Sequence, residues 1–343
     1  MKKLQRFGAV HYIIFTLLTI VTAALCICLG SVNVRFGDTV RAITYALFGS
    51  GEAPALSVSA IIIRSRIPRV ICVAVEGAAL SLCGGAMQGL LRNPLADGST
   101  LGVSAGASLG AVLSIAFGIS IPFLPAGGTM VMAMLFAFGS MLLILALAYR
   151  LDYSLSTNTI ILIGVIFSMF VNSIMSLVIT FAGEKVKTIM FWTMGSLSGT
   201  GYSDVLTLLA ALVICGTALL LCSRELDAFA IGEDNARHIG INVRRTKLII
   251  LIFVSALIGV CVSVAGTIGF IGLVIPHMTR MITGPAHRKL LPASMFGGAI
   301  FLMLADLVAR TVLRPLELPI GVVTSFVGSI AFIYIFYRTR KGM

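Results

Sequence analysis

Apolar stretches long enough to cross a lipid bilayer recur along this chain, near residues 9–30, 67–91, 99–118, 128–149, 159–182, 203–222, 247–267, 268–283, 290–309 and 319–337. A bilayer core about 30 Å thick takes about 20 residues of helix per crossing. Ten such runs predict an all-α, polytopic membrane protein of ten transmembrane helices, folded as a single membrane domain over residues 1–343. The eighth run is short and interrupted by Pro276. The first follows Lys2, Lys3 and Arg6 as a signal peptide would, but its apolar core is too long and no small-x-small cleavage site follows it. It reads as a retained helix.

Composition agrees: 58% of the residues are hydrophobic, 11% are charged, and the mean hydropathy is +1.07. The net charge of +12 would suggest nucleic acid if the bases formed a stripe or arm. They punctuate the apolar runs instead, which excludes that partner. Sorted by the loops the ten spans define, 16 bases share the side of the termini and nine lie opposite. The positive-inside rule then places both termini in the cytoplasm. The seven cysteines all sit in apolar stretches without a C-x-x-C pair and read as small core residues.

Three connections exceed simple turns: 31–66 and 183–202 outside, and 223–246 inside. An internal echo links two spans. Arg66 opens one that leads to Gly89-Leu90-Leu91-Arg92-Asn93-Pro94, and Arg245 opens one that leads to Gly272-Leu273-Val274-Ile275-Pro276. The first runs inward and the second outward, as in an inverted-topology repeat; chance similarity between two Gly-rich helices is the alternative. Small residues four apart in 84–89 and 101–110 predict helices whose backbones approach closely in lipid.

The inside segment 224–240 reads as two short amphipathic helices hinged at Gly232. Leu226, Phe229, Ile231 and Ile239 cannot all be buried within so short a loop, which predicts a docking surface for a cytoplasmic partner. Enzymatic chemistry finds no support. His11, His238, His277 and His287 are scattered, no His-Glu-x-x-His is present, and no phosphate-binding Gly-x-x-x-x-Gly-Lys-Ser/Thr loop exists. No catalytic residue and no metal site is therefore expected, and any energy from ATP has to come from a partner.

Glu76 is the one acid deep in a span, about 15 Å from its outer end at the helical rise. Intramembrane ionisable groups are functional candidates, here for the transport pathway; an internally hydrogen-bonded carboxyl is the alternative. Asp306 precedes Arg310 by one turn, a spacing suited to a local ion pair that leaves Arg310 partly free. Arg66 and Arg69 sit three apart on one helix face, and Arg310 lies on the same side of the membrane. Their rigid forks suit acidic groups on a partner.

Arg66-Ile67-Pro68-Arg69, Gly77-Ala78-Ala79-Leu80, Gln88 to Ala96, Leu101 to Ala107, Gly269 to His277, Ala305 to Arg310 and Glu317 to Thr324 occur in an order that resembles the FecCD permeases. These are the membrane subunits of type II ABC importers for iron-siderophores, haem and cobalamin. The resemblance covers about residues 60–340. It implies a ten-helix subunit that dimerises with an identical or second permease chain around a central pathway. Two cytoplasmic ATPase subunits, which hold the ATP and magnesium, would power it, and an extracytoplasmic binding protein would deliver the chelate. This chain would bind no cofactor of its own.

By the same resemblance Arg66, Arg69 and Arg310 would meet the binding protein, and Gly232 and Glu233 would sit in the ATPase cleft. Asn93, Leu95, Ser156, Thr157 and Asn158 would form the inner gate. Ser168 and Asn172 would line the path. Glu76 stands where the family pattern is apolar or small. The expectation is a permease that passes an iron chelate, a siderophore in the first place, across the cell membrane of a bacterium or archaeon. An ion-coupled secondary transporter is the rival from another class, but it would show several midplane charges rather than Glu76 alone.

Overall fold

A computed structural model describes residues 7–49, 54–121, 127–153 and 155–341. Lys2, Lys3 and Arg6 lie outside them, as do the side chains of Arg338, Arg340 and Lys341, all of which the sidedness count had used. In chain order the helices are α1 (Ala9–Cys28), α2 (Phe36–Phe48), α3 (Leu56–Ser59), α4 (Ile67–Leu90), α5 (Val103–Phe117), α6 (Gly127–Leu151), α7 (Thr157–Phe181), α8 (Val186–Thr193), α9 (Tyr202–Leu221), α10 (Ser223–Ile231), α11 (Glu233–His238), α12 (Val243–Ala265), α13 (Ile271–Thr283), α14 (His287–Thr311) and α15 (Ile320–Lys341).

Each apolar run coincides with one of these helices. Among the described residues seven helical stretches are long and apolar enough to cross a membrane; α5 and Ile320–Tyr334 are apolar but shorter, and α13 has 13 residues around Pro276. The expected outer loop 31–66 is a loop only in part. It contains α2, and α3 runs through a π-helical turn at Ala60–Arg66 into α4 as one stretch, Leu56–Leu90. Polar residues such as Arg64, Ser65 and Arg66 hid this extension from a reading based on apolar runs.

The most extensive contact in the chain joins α4 to α14. In lipid no hydrophobic effect drives helices together, so close backbone approach has to supply the packing. Gly77 provides it: a Cβ there would lie 2.2 Å from the Gly298 carbonyl oxygen. Further along α4, a Cβ at Gly84 would lie 1.9 Å from that of Gly272, so the two echoing segments meet at glycine. The Gln88 amide adds hydrogen bonds to the Gly272 and Leu273 carbonyls at 3.4 and 3.0 Å. α9 and α12 complete the shell around α4, which is the spine of the bundle. The cysteines are free; five are buried, and Cys28 and Cys222 are half-buried.

Candidate functional site

At one end of the bundle the three expected docking arginines are buried, not displayed: Arg66 is 5% exposed, Arg69 9% and Arg310 2%. The reason is a set of internal partners. Arg69 donates from Nε and Nη2 to Asp306 Oδ1 at 3.1 and 2.9 Å, and from Nη1 to Glu317 Oε2 at 2.8 Å. Arg310 Nε lies 2.9 Å from Asp306 Oδ2 in an approach that is electrostatic more than directional, and its Nη2 donates to the Cys26 carbonyl at 3.2 Å. The Asp306–Arg310 pair stands as the spacing suggested, but Arg310 is not left partly free.

Arg66 donates to the carbonyls of Ile27 and Cys28 at 2.9 and 3.0 Å and to that of Val32. The carbonyls at a helix C-terminus lack intrahelical partners. Arg66 and Arg310 supply them for α1, so this end is a structural knot of α1, α4 and α14.

At the opposite end α10 and α11 are the two short helices foreseen in 224–240. They meet at Gly232, whose φ of 132° and ψ of 148° suit glycine alone. The four apolar residues divide. Ile231 and Ile239 are 72% and 69% exposed, whereas Leu226 and Phe229 are buried in the core and offer no docking surface. Contacts of α10 with α4 and α14 provide that burial, which a count within the loop could not anticipate.

Polar tethers fix both arms. Asp227 Oδ1 accepts from the His287 backbone N–H at 2.7 Å and lies 2.7 Å from its Nδ1. Glu233, expected at a partner's surface, reaches inward to Lys247 at 2.8 Å. Sequence reasoning passed over Asp227, His287, Lys247, Arg244, Tyr149 and Tyr153. Lys247 had counted only as one more inside base, and its place at the head of an apolar run was the available signal.

The residues expected at a gate lie in two connections near this end. Asn93 Oδ1 accepts from the Leu95 N–H at 2.9 Å, which shapes the turn after α4, and Leu95 is half exposed. Ser156 caps α7 by accepting from the Thr159 N–H at 3.3 Å; Thr157 and the exposed Asn158 open that helix. The segment Gly98–Leu101, just after Leu95, packs on α7.

Along α7, Asn172 is exposed, and the half-buried Ser168 donates to the Gly164 carbonyl at 2.8 Å. Glu76 faces no open surface of this chain: it is 1% exposed, the Cys261 thiol lies against its carboxyl, and Oε2 has no partner among the described residues. That burial corrects its expected place along a path. Close by, a cavity of about 140 Å³ is lined by Cys83, Asp97, Ser104, Ile258, Thr267 and Phe270.

Residues 17–338 match the model of the FecCD transport family. The ABC transporter permease protein YvrB of Bacillus subtilis is 44% identical over 282 residues, covering 82% of this chain and 80% of that protein. The cobalamin import system permease protein BtuC of Halobacterium salinarum is 36% identical over 270 residues, covering 79% and 71%. Other relatives are named for molybdate, hemin and iron chelatin. A solved structure described as a metal-chelate type ABC transporter in an inward-facing conformation superposes with a TM-score of 0.82 at 29% identity, covering 95% of this chain and 98% of that one.

Proposed function

This chain belongs to the FecCD transport family and is the permease subunit of an ABC importer; from that premise we propose that it carries an iron chelate, a siderophore in the first place, into the cytoplasm. The observation that carries the reading is the exposure of α7. Leu162, Ile166, Met169, Phe170, Asn172, Ser173 and Ser176 stand open along one membrane-spanning helix. A face that mixes amide and hydroxyl groups with large apolar side chains suits a second permease chain, identical or not, and a path for a bulky polar solute between the two.

The end bearing α10 and α11 is read as cytoplasmic, with both termini on that side in the membrane of a bacterium or archaeon. Ile231 and Ile239 there would contact ATPase subunits, which hold the ATP and magnesium, and Gly232 sets the angle between the two arms. Asn93, Leu95, Ser156, Thr157 and Asn158 form the inner gate, and Ser168 and Asn172 line the path. The knotted end faces the binding protein. Relatives named for hemin and iron chelatin support an iron complex, and relatives named for cobalamin and molybdate, about as similar, supply the competing substrates.

Proteoliposomes containing this chain, its ATPase and its binding protein test the substrate. ATP-dependent uptake of an iron-loaded siderophore should exceed that of haem, cobalamin or molybdate. Uptake confined to one of the latter three would overturn the choice of siderophore.

A further inference from the structure

Lys247 is 1% exposed although it lies in the first turns of a membrane-spanning helix. Two partners hold its charge there. Nζ lies 2.8 Å from Glu233 Oε1 and donates to the Leu155 carbonyl at 2.8 Å. Glu233 opens α11, the second arm of the ATPase-facing loop, and Leu155 lies in the connection between α6 and α7, immediately before Ser156. One buried ammonium therefore touches both the coupling loop and the turn that leads into the gate.

That turn and the start of α7 form a single hydrogen-bonded unit. The Leu155 N–H donates to the Asp152 carbonyl at 2.9 Å. Asp152 Oδ2 accepts from the Ser156 N–H at 3.0 Å and from Thr159 Oγ1 at 3.1 Å. Leu155 has a φ of 52°, a left-handed conformation that a leucine rarely adopts, and its side chain is fully buried. Arg244, just ahead of Lys247 on α12, stacks on Tyr149 and Tyr153 at 4.6 and 3.7 Å from their ring centroids. α12 thus grips the end of α6 and the turn with two side chains.

The other arm is moored elsewhere. Asp227 binds the first residue of α14, and Leu226 and Phe229 are packed into the core, so α10 belongs to the α4–α14 side of the bundle. Between the arms stands Gly232, in a conformation that no other residue adopts readily.

We infer that Lys247 is a positioning residue that relays movement of the α11 arm through the Leu155 carbonyl to the start of α7, and so to the inner gate. The inference rests on the permease reading above. An ammonium this deeply buried cannot part from either partner without a heavy desolvation cost. Glu233 and Leu155 therefore move together, or the pair breaks and leaves the turn in a second state; in both cases α11 biases the gate.

The experiment uses the complete transporter in proteoliposomes and reads iron-loaded siderophore carried per ATP hydrolysed. K247M keeps the apolar stem and removes the charge. Complex assembly and ATP hydrolysis are expected to persist, because Lys247 is enclosed within this chain, while transport per ATP falls about tenfold, a typical size for coupling between separate sites. K247R keeps the donors and should recover most of the loss. An unchanged ratio in K247M, or hydrolysis and transport falling equally, overturns the relay. If K247M does not assemble, E233A carries the same measurement: a tenfold fall in the ratio supports the relay and any other result overturns it. A wild-type transporter that moves no chelate with ATP would defeat the permease reading itself, and the relay with it.

Discussion

At the end that the proposed topology makes the outer one, Arg69, Asp306, Arg310 and Glu317 close on one another, and Arg66 closes on the last carbonyls of α1. At the opposite end, the inner one in that topology, Lys247 is as deeply buried, yet its carboxylate comes from a short helix whose flanking Ile231 and Ile239 stand in the open. Both ends bury cations and both display apolar groups, Ile231 and Ile239 at one and Phe36, Leu47 and Phe48 at the other; they differ in what the cations hold, the last carbonyls of α1 at one end and a short arm between two exposed isoleucines at the other. A base near a helix end is therefore not by itself a displayed one: Arg66, Arg69 and Arg310 are buried, whereas Arg35 and Arg64 are exposed. The buried ions report how each end is held together.

The largest expected effect tests the closed end. D306A would leave Arg69 and Arg310 buried without their shared carboxylate, and removing one partner of a buried pair costs about 3–5 kcal/mol. A large drop in melting temperature in detergent is expected, with D306N milder because its amide oxygen still accepts. Should D306A melt like the wild type while binding-protein affinity changes, the arginines would be docking residues after all.

How much of this was legible follows from the type of signal. Apolar runs marked each membrane helix because span length is a local property of sequence. Gly232 announced its hinge, since two amphipathic segments on either side need a break. The i, i+4 spacing of Asp306 and Arg310 announced their pair, but nothing local could announce Arg69 reaching Asp306 from 237 positions away. Leu226 and Phe229 were misjudged for the same cause: what covers them belongs to α4 and α14, distant in sequence. Lys247 was invisible because a base at the head of an apolar run has an ordinary explanation in topology. The sequence names the elements and the local pairs; long-range pairing decides which charges are available.

The inner end is sharpened by a smaller change. I231E together with I239E should leave the permease's melting temperature unaltered within about 0.5 kcal/mol of stability, as for other surface substitutions. Co-purification with the ATPase subunits should weaken by more than about tenfold, the scale of truncating a contact worth over about 1 kcal/mol at an interface. Equal recovery of the ATPase would reduce the 223–246 loop to a connector and leave the two ends alike.

The smallest effect returns to the outer face. With Arg66, Arg69 and Arg310 enclosed, the arginines that can meet an acidic binding protein include Arg35 at the start of α2 and Arg64 in the π-helical turn, both exposed. Exposed ion pairs contribute about 0–1 kcal/mol each, so R35E together with R64E should lower affinity only modestly. The loss should fall mainly on the association rate, since rim charges steer encounter more than they hold the complex. It should also fade as salt rises, because the screening length shrinks to roughly 3 Å at 1 M. Stability of the isolated permease should not change, which separates this pair from D306A. Association-rate measurements across a salt series decide it. A rate that is the same in mutant and wild type at low salt would mean that the binding protein docks without these arginines, on the apolar surface of α2 at Phe36, Leu47 and Phe48, and both ends of the molecule would then recruit partners by exposed apolar groups.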